Sequence, residues 1–483
     1  MNQAPPNVLP LYEQISEPTL SFHPDRPTDV DVHPLAGLLR FGPYCRKLPI
    51  SAADPIRLAI IAPEGTGNRV LNLLAEFNQS QRPRERHQYL PEFGGFSRVF
   101  GVGLDAPTPG SVGRVLSLPN TAIDAALSSQ RPYEPLSELI HRSVRQLNSS
   151  RQEFDVALLY LPDALASGFK SDPADEEADF DLHDSVKALS STLRLPVQIL
   201  NDDAITYKCR CSVAWRLSLA LFTKAGGIPW KLDRFEERHA YVGLSYCVRK
   251  ASRAQFVTCC SQIFDAEGTN LRFLLYESAD GRYEGENPFL PRGDMYRVMA
   301  RTLALYQKQK GIPPTRLVVH KTTPFTPDEI DGCNDALSSV DDVELLTVGQ
   351  RVSWSGIRID PPTAKGSTKG IAAKYPIERG ATLPLGVYEF LLWTQGNCSG
   401  IGKGTYFKEG KGIPHPLRIT RYQGMGGFHA SARELMALTK MNWNNDSLYD
   451  RLPVTLSYAS ILARVVKRMG SLSQTPYDFR FFM

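Results

Sequence analysis

HDSVKALSSTLRLPVQIL, residues 183–200, joins two secondary-structure elements across a single proline. Its first part predicts a helix over 183–193. After Pro196, the run VQIL (197–200) is a short apolar segment of the kind that is buried as a strand on both faces. A long helix over 212–224 is expected next. It stops at Ala225, Gly226 and Gly227, where glycine takes the left-handed cap, with Pro229 just beyond. Upstream, the apolar runs at 56–62 and 156–161 predict strands of the same kind. Strand, helix, strand and helix with short connections imply an α/β unit with a Rossmann-like parallel sheet and right-handed crossovers.

Outward from this unit the pattern changes. From His239 onward, residues 241–248, 255–264 and 272–277 read as strands. Asp294 is expected to cap a helix that runs to about residue 310, with Val298, Thr302, Leu305 and Tyr306 near one face. A buried strand at 317–320, a helix at 327–337, a helix at 456–469 and an apolar tail at 479–483 complete the chain. Three hairpin-like strands, a helix, a parallel strand and a helix is the order of a ribonuclease H-like sheet. Residues 1–35, rich in proline and polar residues, read as an arm that packs on something else. The acidic run 172–181 reads as a solvated linker before a helix, and the Gly- and Pro-punctuated segments between 62 and 156 give no order.

Composition excludes several classes. With 483 residues the chain has room for two or three domains, and 42% apolar residues exclude global disorder. A net charge of +4 permits an anionic partner without resembling a polybasic protein, so a nucleic-acid function must rest on local sites. Eight cysteines, including Cys209 with Cys211 and the adjacent Cys259 and Cys260, lack zinc spacing and read as reduced thiols. There is no signal-peptide pattern at Met1–Pro10 and no apolar run near the roughly 20 residues of a membrane span. A soluble, cytoplasmic protein without membrane contact is expected.

The chemistry lies around the opening stretch. His183 and Lys187 are four residues apart on one helix face, Gln198 is on the next strand, and Lys224 ends the following helix. A histidine, a glutamine and two cations near a helix N-terminus are what a terminal phosphate needs: charge-assisted donors and a positive dipole end. Each residue alone has a bland reading, as a cap, a solvated charge or a strand-edge polar group.

Taken in order, HDSVK (183–187), LPVQIL (195–200) and KAGGIPWKL (224–232) resemble the MID domain of Argonaute proteins, in the short prokaryotic branch. LRFGPYCRKLP (39–49), YVGLSY (241–246), VVHKTTPFTPDE (318–329), LTKMNWNN (438–445) and LPVTLSYASILARVVK (452–467) extend the resemblance through a PIWI domain. It implies an arm and MID domain over 1–235 and a ribonuclease H-like PIWI domain over 236–483, with no room for N-terminal or PAZ domains. It also implies that His183, Lys187, Gln198 and Lys224 bind the 5′-phosphate of a guide. Met483, behind YDFRFFM (477–483), would place its terminal carboxylate there, bridged to the phosphate by Mg2+.

The same resemblance marks what is missing. A ribonuclease H-like nuclease needs clustered carboxylates to hold two metal ions about 4 Å apart. In cutting Argonautes acids or histidine stand where this chain has Ser245, Thr322 and Ser460, and hydroxyls do not replace anionic ligands for a hard dication. Glu277, Glu284 and Glu286 could supply one glutamate, which does not make a two-metal site. The resemblance therefore implies an inactive PIWI domain that holds a guide RNA paired with complementary target DNA. It further implies a separate partner with a PAZ-analogous domain fused to a sirtuin-like, TIR or nuclease effector, acting in defence against plasmids or phage. The alternatives are a guide-directed nuclease whose ligands lie elsewhere, among Asp265, Asp280, Asp328 and Asp331, and a purely structural subunit.

Two further motifs carry less. GNCSGIGKGTY (396–406) lacks the first glycine of a P-loop and has Gly404 where Ser or Thr would hold Mg2+, and EGTGNRV (64–70) has too few glycines for a dinucleotide fingerprint. The segment 397–411 reads as a mobile loop. Its Lys403, Lys408 and Lys411, like Arg249, Lys250 and Arg253, are either solvated or in contact with a phosphate backbone.

Overall fold

The computed structural model describes residues 11–47, 52–108, 110–172, 180–233, 238–251, 253–264, 272–278, 282–284, 287–360, 369–373, 375–401, 404–407, 412–469 and 476–483; at 248–251, 253–264, 282–284, 400, 404 and 405 this extends to the backbone only. Lys403, Lys408, Lys411, Asp265, Asp280 and Glu286 lie outside the described residues, and the side chains of Arg249, Lys250, Arg253 and Glu284 do as well.

The first unit is a parallel sheet built on β1 (Ile56–Pro63), β2 (Val115–Leu118), β3 (Val156–Tyr160) and β4 (Val197–Leu200), with helices α1 (Tyr133–Asn148), α2 (Leu182–Leu193) and α3 (Arg210–Lys224). The spatial order is β2-β1-β3-β4, all neighbours parallel. Both faces are covered, and the strands alternate between two cores accordingly. Leu58, Ile60, Val156, Leu158 and Tyr160 face one, and Ala59, Ile61, Ala157 and Leu159 the other. Helix α2 begins at Leu182 because the Asp181 side chain accepts a hydrogen bond from the backbone N–H of Asp184. Helix α3 starts earlier than the sequence suggests, and the chain turns out of it at Gly226, whose φ of +99° only glycine adopts without strain.

The second unit runs β5 (His239–Ala251), β6 (Arg253–Phe264), β7 (Arg272–Ser278), α4 (Arg292–Lys310), β8 (Arg316–Lys321), α5 (Pro327–Ala336), β9 (Asp342–Gly349), β10 (Ala381–Pro384), β11 (Glu389–Leu392), β12 (Leu417–Gln423), α6 (Phe428–Leu438) and α7 (Val454–Val466). Its sheet has ten strands, with Glu13–Gln14 at one edge and Tyr477–Asp478 at the other, in the order β10-β11-β12-β9-β8-β5-β6-β7 between them. The antiparallel β5-β6-β7 meander followed by parallel β8 is the ribonuclease H-like order read from the sequence, and β9, parallel to β8, is a strand the sequence reading did not place. Helices α4 and α5 bury one face, and α6 and α7 the other. Asp294 does not cap α4: the helix starts after Pro291, and Asp294 sits in its first turn, bonded to Ser278, Tyr276 and Arg297.

The arm joins the two units. Glu13 and Gln14 pair with Thr382 and Ala381. Glu17 is held between Arg379 at 2.9 Å and Lys440 at 2.6 Å, both cations fully buried. Further on, Leu20 and Ser21 pair with Leu232 and Lys231, and Ile15, Leu20 and Phe22 are buried.

Candidate nucleic-acid interface

Helix α2, strand β4 and the turn after it surround a cavity of about 420 Å³, lined among others by His183, Gln198, Asn201, Asp203 and Arg216. His183 and Gln198 therefore share one cavity. Lys187, one helical turn after His183, is buried, and Lys224 at the end of α3 is buried completely. The Lys224 ammonium donates to the main-chain oxygen of Met483 at 2.7 Å and to that of Arg480 at 3.4 Å. The C-terminal turn Phe479–Phe481 packs against both α2 and α3, so the chain's last described residues meet the helices that carry both lysines.

Charge in this region is unbalanced. Among the described residues no Asp or Glu carboxylate lies within ion-pair distance of Lys187 or Lys224, and the oxygen nearest the Lys224 ammonium is that of Met483. Burial pushes the Lys187 ammonium down to about 8, against the pull of Asp184. Burial and the neighbouring Lys187 push Lys224 well below the usual lysine range. Burial of its ring, and after it the positive charges of Lys187, Lys224 and Arg464, lower His183 to about 3. Lys187, Lys224 and Arg464 thus bring like charges to bear on one another beside the cavity, an imbalance that an anion would relieve. Gln198 Nε2 donates to the carbonyl of Ile199, while its Oε1 is buried without a partner among the described residues.

Two features escaped the sequence reading. Asp181, His183 and Asp184 bring ligand atoms within 4.8 Å of one another, a grouping that could hold a metal ion. Both acids are engaged: Asp181 caps α2 and lies 3.6 Å from Lys170, and Asp184 lies 3.5 Å from Arg464. Arg464, on α7, is the second feature. Its only sequence signal is the basic cluster Arg464, Lys467 and Arg468 closing an apolar helix.

The second candidate surface is the end of the central strands. Parallel pairing of Leu244 with Lys321 sets Ser245 and Thr322 side by side, one residue further along β5 and the chain leaving β8. Helix α7 lies on this face so closely that a Cβ at Gly243 would stand 2.1 Å from the carbonyl oxygen of Thr455. Ser460, on the same helix, is exposed. Among the described residues no group of three or more His, Cys, Asp or Glu able to hold a metal occurs on this sheet. Glu277 sits on β7, two strands away at the level of Cys247. Glu329, Asp328 and Asp331 belong to α5 on the opposite face; Glu329 is locked to Lys321 at 2.6 Å, and Asp331 lies 3.7 Å from Arg292.

The whole chain can be superposed on solved structures. Clostridium butyricum Argonaute bound to a guide DNA and a 19-mer target DNA matches 98% of the chain with a TM-score of 0.66 and 14% identity. The fold is that of the Argonaute MID and PIWI domains. Drosophila Piwi matches 98% of the chain (TM-score 0.61, 12% identity), and Aa-Ago with externally bound siRNA 99% (0.61, 14%). The chain spans about half the length of these Argonaute structures, 55–56% of each. No protein-family model matches it, and no curated protein matches it by sequence. No helix among the described residues is long and apolar enough to cross a membrane.

Proposed function

We propose that this chain anchors the 5′-phosphate of a guide strand, RNA by its resemblance to short Argonautes, and presents it for pairing with a complementary DNA. The observation that carries this reading is the pair of buried lysines, Lys187 and Lys224, which have no Asp or Glu partner among the described residues and lie with His183 beside a cavity of nucleotide size. A phosphate dianion supplies the missing charge. Met483 adds an oxygen beside Lys224, a hard donor suited to Mg2+, which would relieve repulsion between a terminal carboxylate and the phosphate. Residues 1–235 then hold the strand's end and 236–483 its paired length, recognised through backbone and A-form shape. With hydroxyls at Ser245, Thr322 and Ser460, the chain leaves the target whole. Its output is activation of a partner, a PAZ-analogous domain fused to a sirtuin-like, TIR or nuclease effector, in prokaryotic defence.

The test is binding of short oligonucleotides bearing a 5′-phosphate or a 5′-hydroxyl, followed by fluorescence anisotropy. Lys187→Ala and Lys224→Ala each remove a charge-assisted contact worth roughly 1.5–3 kcal/mol, about 10- to 150-fold in affinity for the phosphorylated strand. The 5′-hydroxyl strand should change little. Equal losses for both strands would refute the assignment.

A further inference from the structure

Lys440 spends its whole donor capacity on the arm. Its side chain is fully buried, and an ammonium has three N–H groups. They meet Glu17 at 2.6 Å, the carbonyl of Pro18 at 2.9 Å and that of Val32 at 2.6 Å. Arg379, equally buried, divides its guanidinium between Glu17 and the end of α6. It donates there to the carbonyl of Met436 at 3.2 Å and, in the turn after α6, to Thr439 Oγ1 at 2.8 Å. It also lies 4.2 Å from the centre of the Tyr449 ring. From the arm's other end, His33 donates through Nε2 to the carbonyl of Tyr89 at 2.6 Å while its Nδ1 accepts from the N–H of Ala36. Its ring stacks on that of Tyr89 at 4.5 Å, and Tyr89 stacks in turn on Tyr406 at 5.0 Å.

Tyr89, Tyr406 and Tyr449 line one cavity of about 180 Å³, together with Arg86, Asp450 and Arg451. It lies where the units meet: Arg86 and Tyr89 belong to the first, the other four to the second. All three rings are backed by the arm, two through His33 and one through Glu17 and Arg379. Arg451 Nε is buried without a hydrogen-bond partner among the described residues. A nucleic-acid strand held by its end in the first unit and paired along the second has to cross this junction. We infer that the arm is a strap whose docking is coupled to strand binding: closed on Lys440 and Tyr89, it sets the wall past which the strand crosses from one unit to the other. Glu17, His33 and Lys440 are positioning residues that act through the tyrosines. Opening the strap leaves Lys440 without any of its three partners, which burial penalises. Coupling of this kind is reciprocal, so a closed arm favours the strand and the strand favours a closed arm. The inference rests on the reading above that one strand engages both units.

The experiment uses the full chain with two probes, a nucleoside 5′-monophosphate and a 5′-phosphorylated oligonucleotide, and follows amide hydrogen exchange across residues 11–35 by mass spectrometry. In the unmodified chain the oligonucleotide should slow exchange of the arm, and the monophosphate, which does not reach the junction, should not. Lys440→Met removes three arm contacts at once and leaves the Glu17–Arg379 pair intact. It should speed exchange of the arm and weaken the oligonucleotide by about tenfold, within the range of coupled sites, with monophosphate affinity unchanged. His33→Phe keeps a ring against Tyr89 and should shift both readings less, in the same direction; it carries the test if Lys440→Met does not fold. Equal weakening of both probes, or arm exchange indifferent to the oligonucleotide, overturns the coupling. A chain that binds neither probe refutes the proposed function and the strap with it, whereas one that binds both without protecting the arm refutes the strap alone.

Discussion

The lysine pocket beside α2 and the strand-end face are built from opposite imbalances. At the pocket, Lys187 and Lys224 are buried without an Asp or Glu partner among the described residues, and burial disfavours the charged form of both. At the face of β5 and β8, Ser245 and Thr322 are neutral, and the acids of α5 lie across the sheet, with Glu329 locked to Lys321. Holding uncompensated charge costs stability, so the contrast between the two regions is what the proposed function, holding an anion without cutting, has to explain. The two regions are linked by α7, which touches β5 through Thr455 and α2 through Arg464.

The largest expected effect is all or none. Guide-loaded protein incubated with a labelled matched target in Mg2+ or Mn2+ should leave the target intact, because no carboxylate stands at Ser245, Thr322 or Ser460. A site-specific product that disappears with Asp328→Asn would erase the contrast between the regions and relocate the active centre.

A second effect sharpens the pocket side. Lys187 titrates near 10.5 when unfolded and near 8 when folded. Between those values the unfolded chain binds the more protons, so stability rises with pH across this window, by about 3 kcal/mol if this group acted alone. Urea midpoints at pH 8 and pH 10 should therefore differ more in the unmodified chain than in Lys187→Met. A slope unchanged by the substitution would mean that Lys187 is not strained by burial.

The smallest effect concerns the other region. Ser245→Ala or Thr322→Ala should change guide-directed target binding by less than threefold, within the roughly 0.5 kcal/mol typical of surface changes. A larger loss would give these hydroxyls a role in holding the duplex.

The parallel sheet and the meander were legible because β3, β4, β5 and β8 are short apolar runs with clear punctuation. The helices of the first unit before α2 were not: α1 is preceded by Pro132, and Gly67–Glu76 follows a glycine-rich turn that reads as loop. The pocket residues were legible as a set because three lie within sixteen residues and Lys224 closes the next helix. Arg464 was not, since it reaches α2 only through tertiary packing. Asp294 misled for a local reason: Pro291, whose ring presets φ, claimed the start of α4.

The arm has a consequence for how the molecule is made. Gln14 hydrogen-bonds to the carbonyl of Arg379, 365 residues downstream, and Glu17 waits for Lys440 as well. At a synthesis rate of about 5–20 residues per second, the ribosome needs roughly 20–70 seconds to span that separation. During that time Ile15, Leu20 and Phe22 have no complete surface to cover them, and the strand-forming pair Glu13–Gln14 has no edge to join. A segment made some 365 residues before its partner is thus late to find its place, and expression at lower temperature or with abundant holdase chaperones should raise the soluble yield.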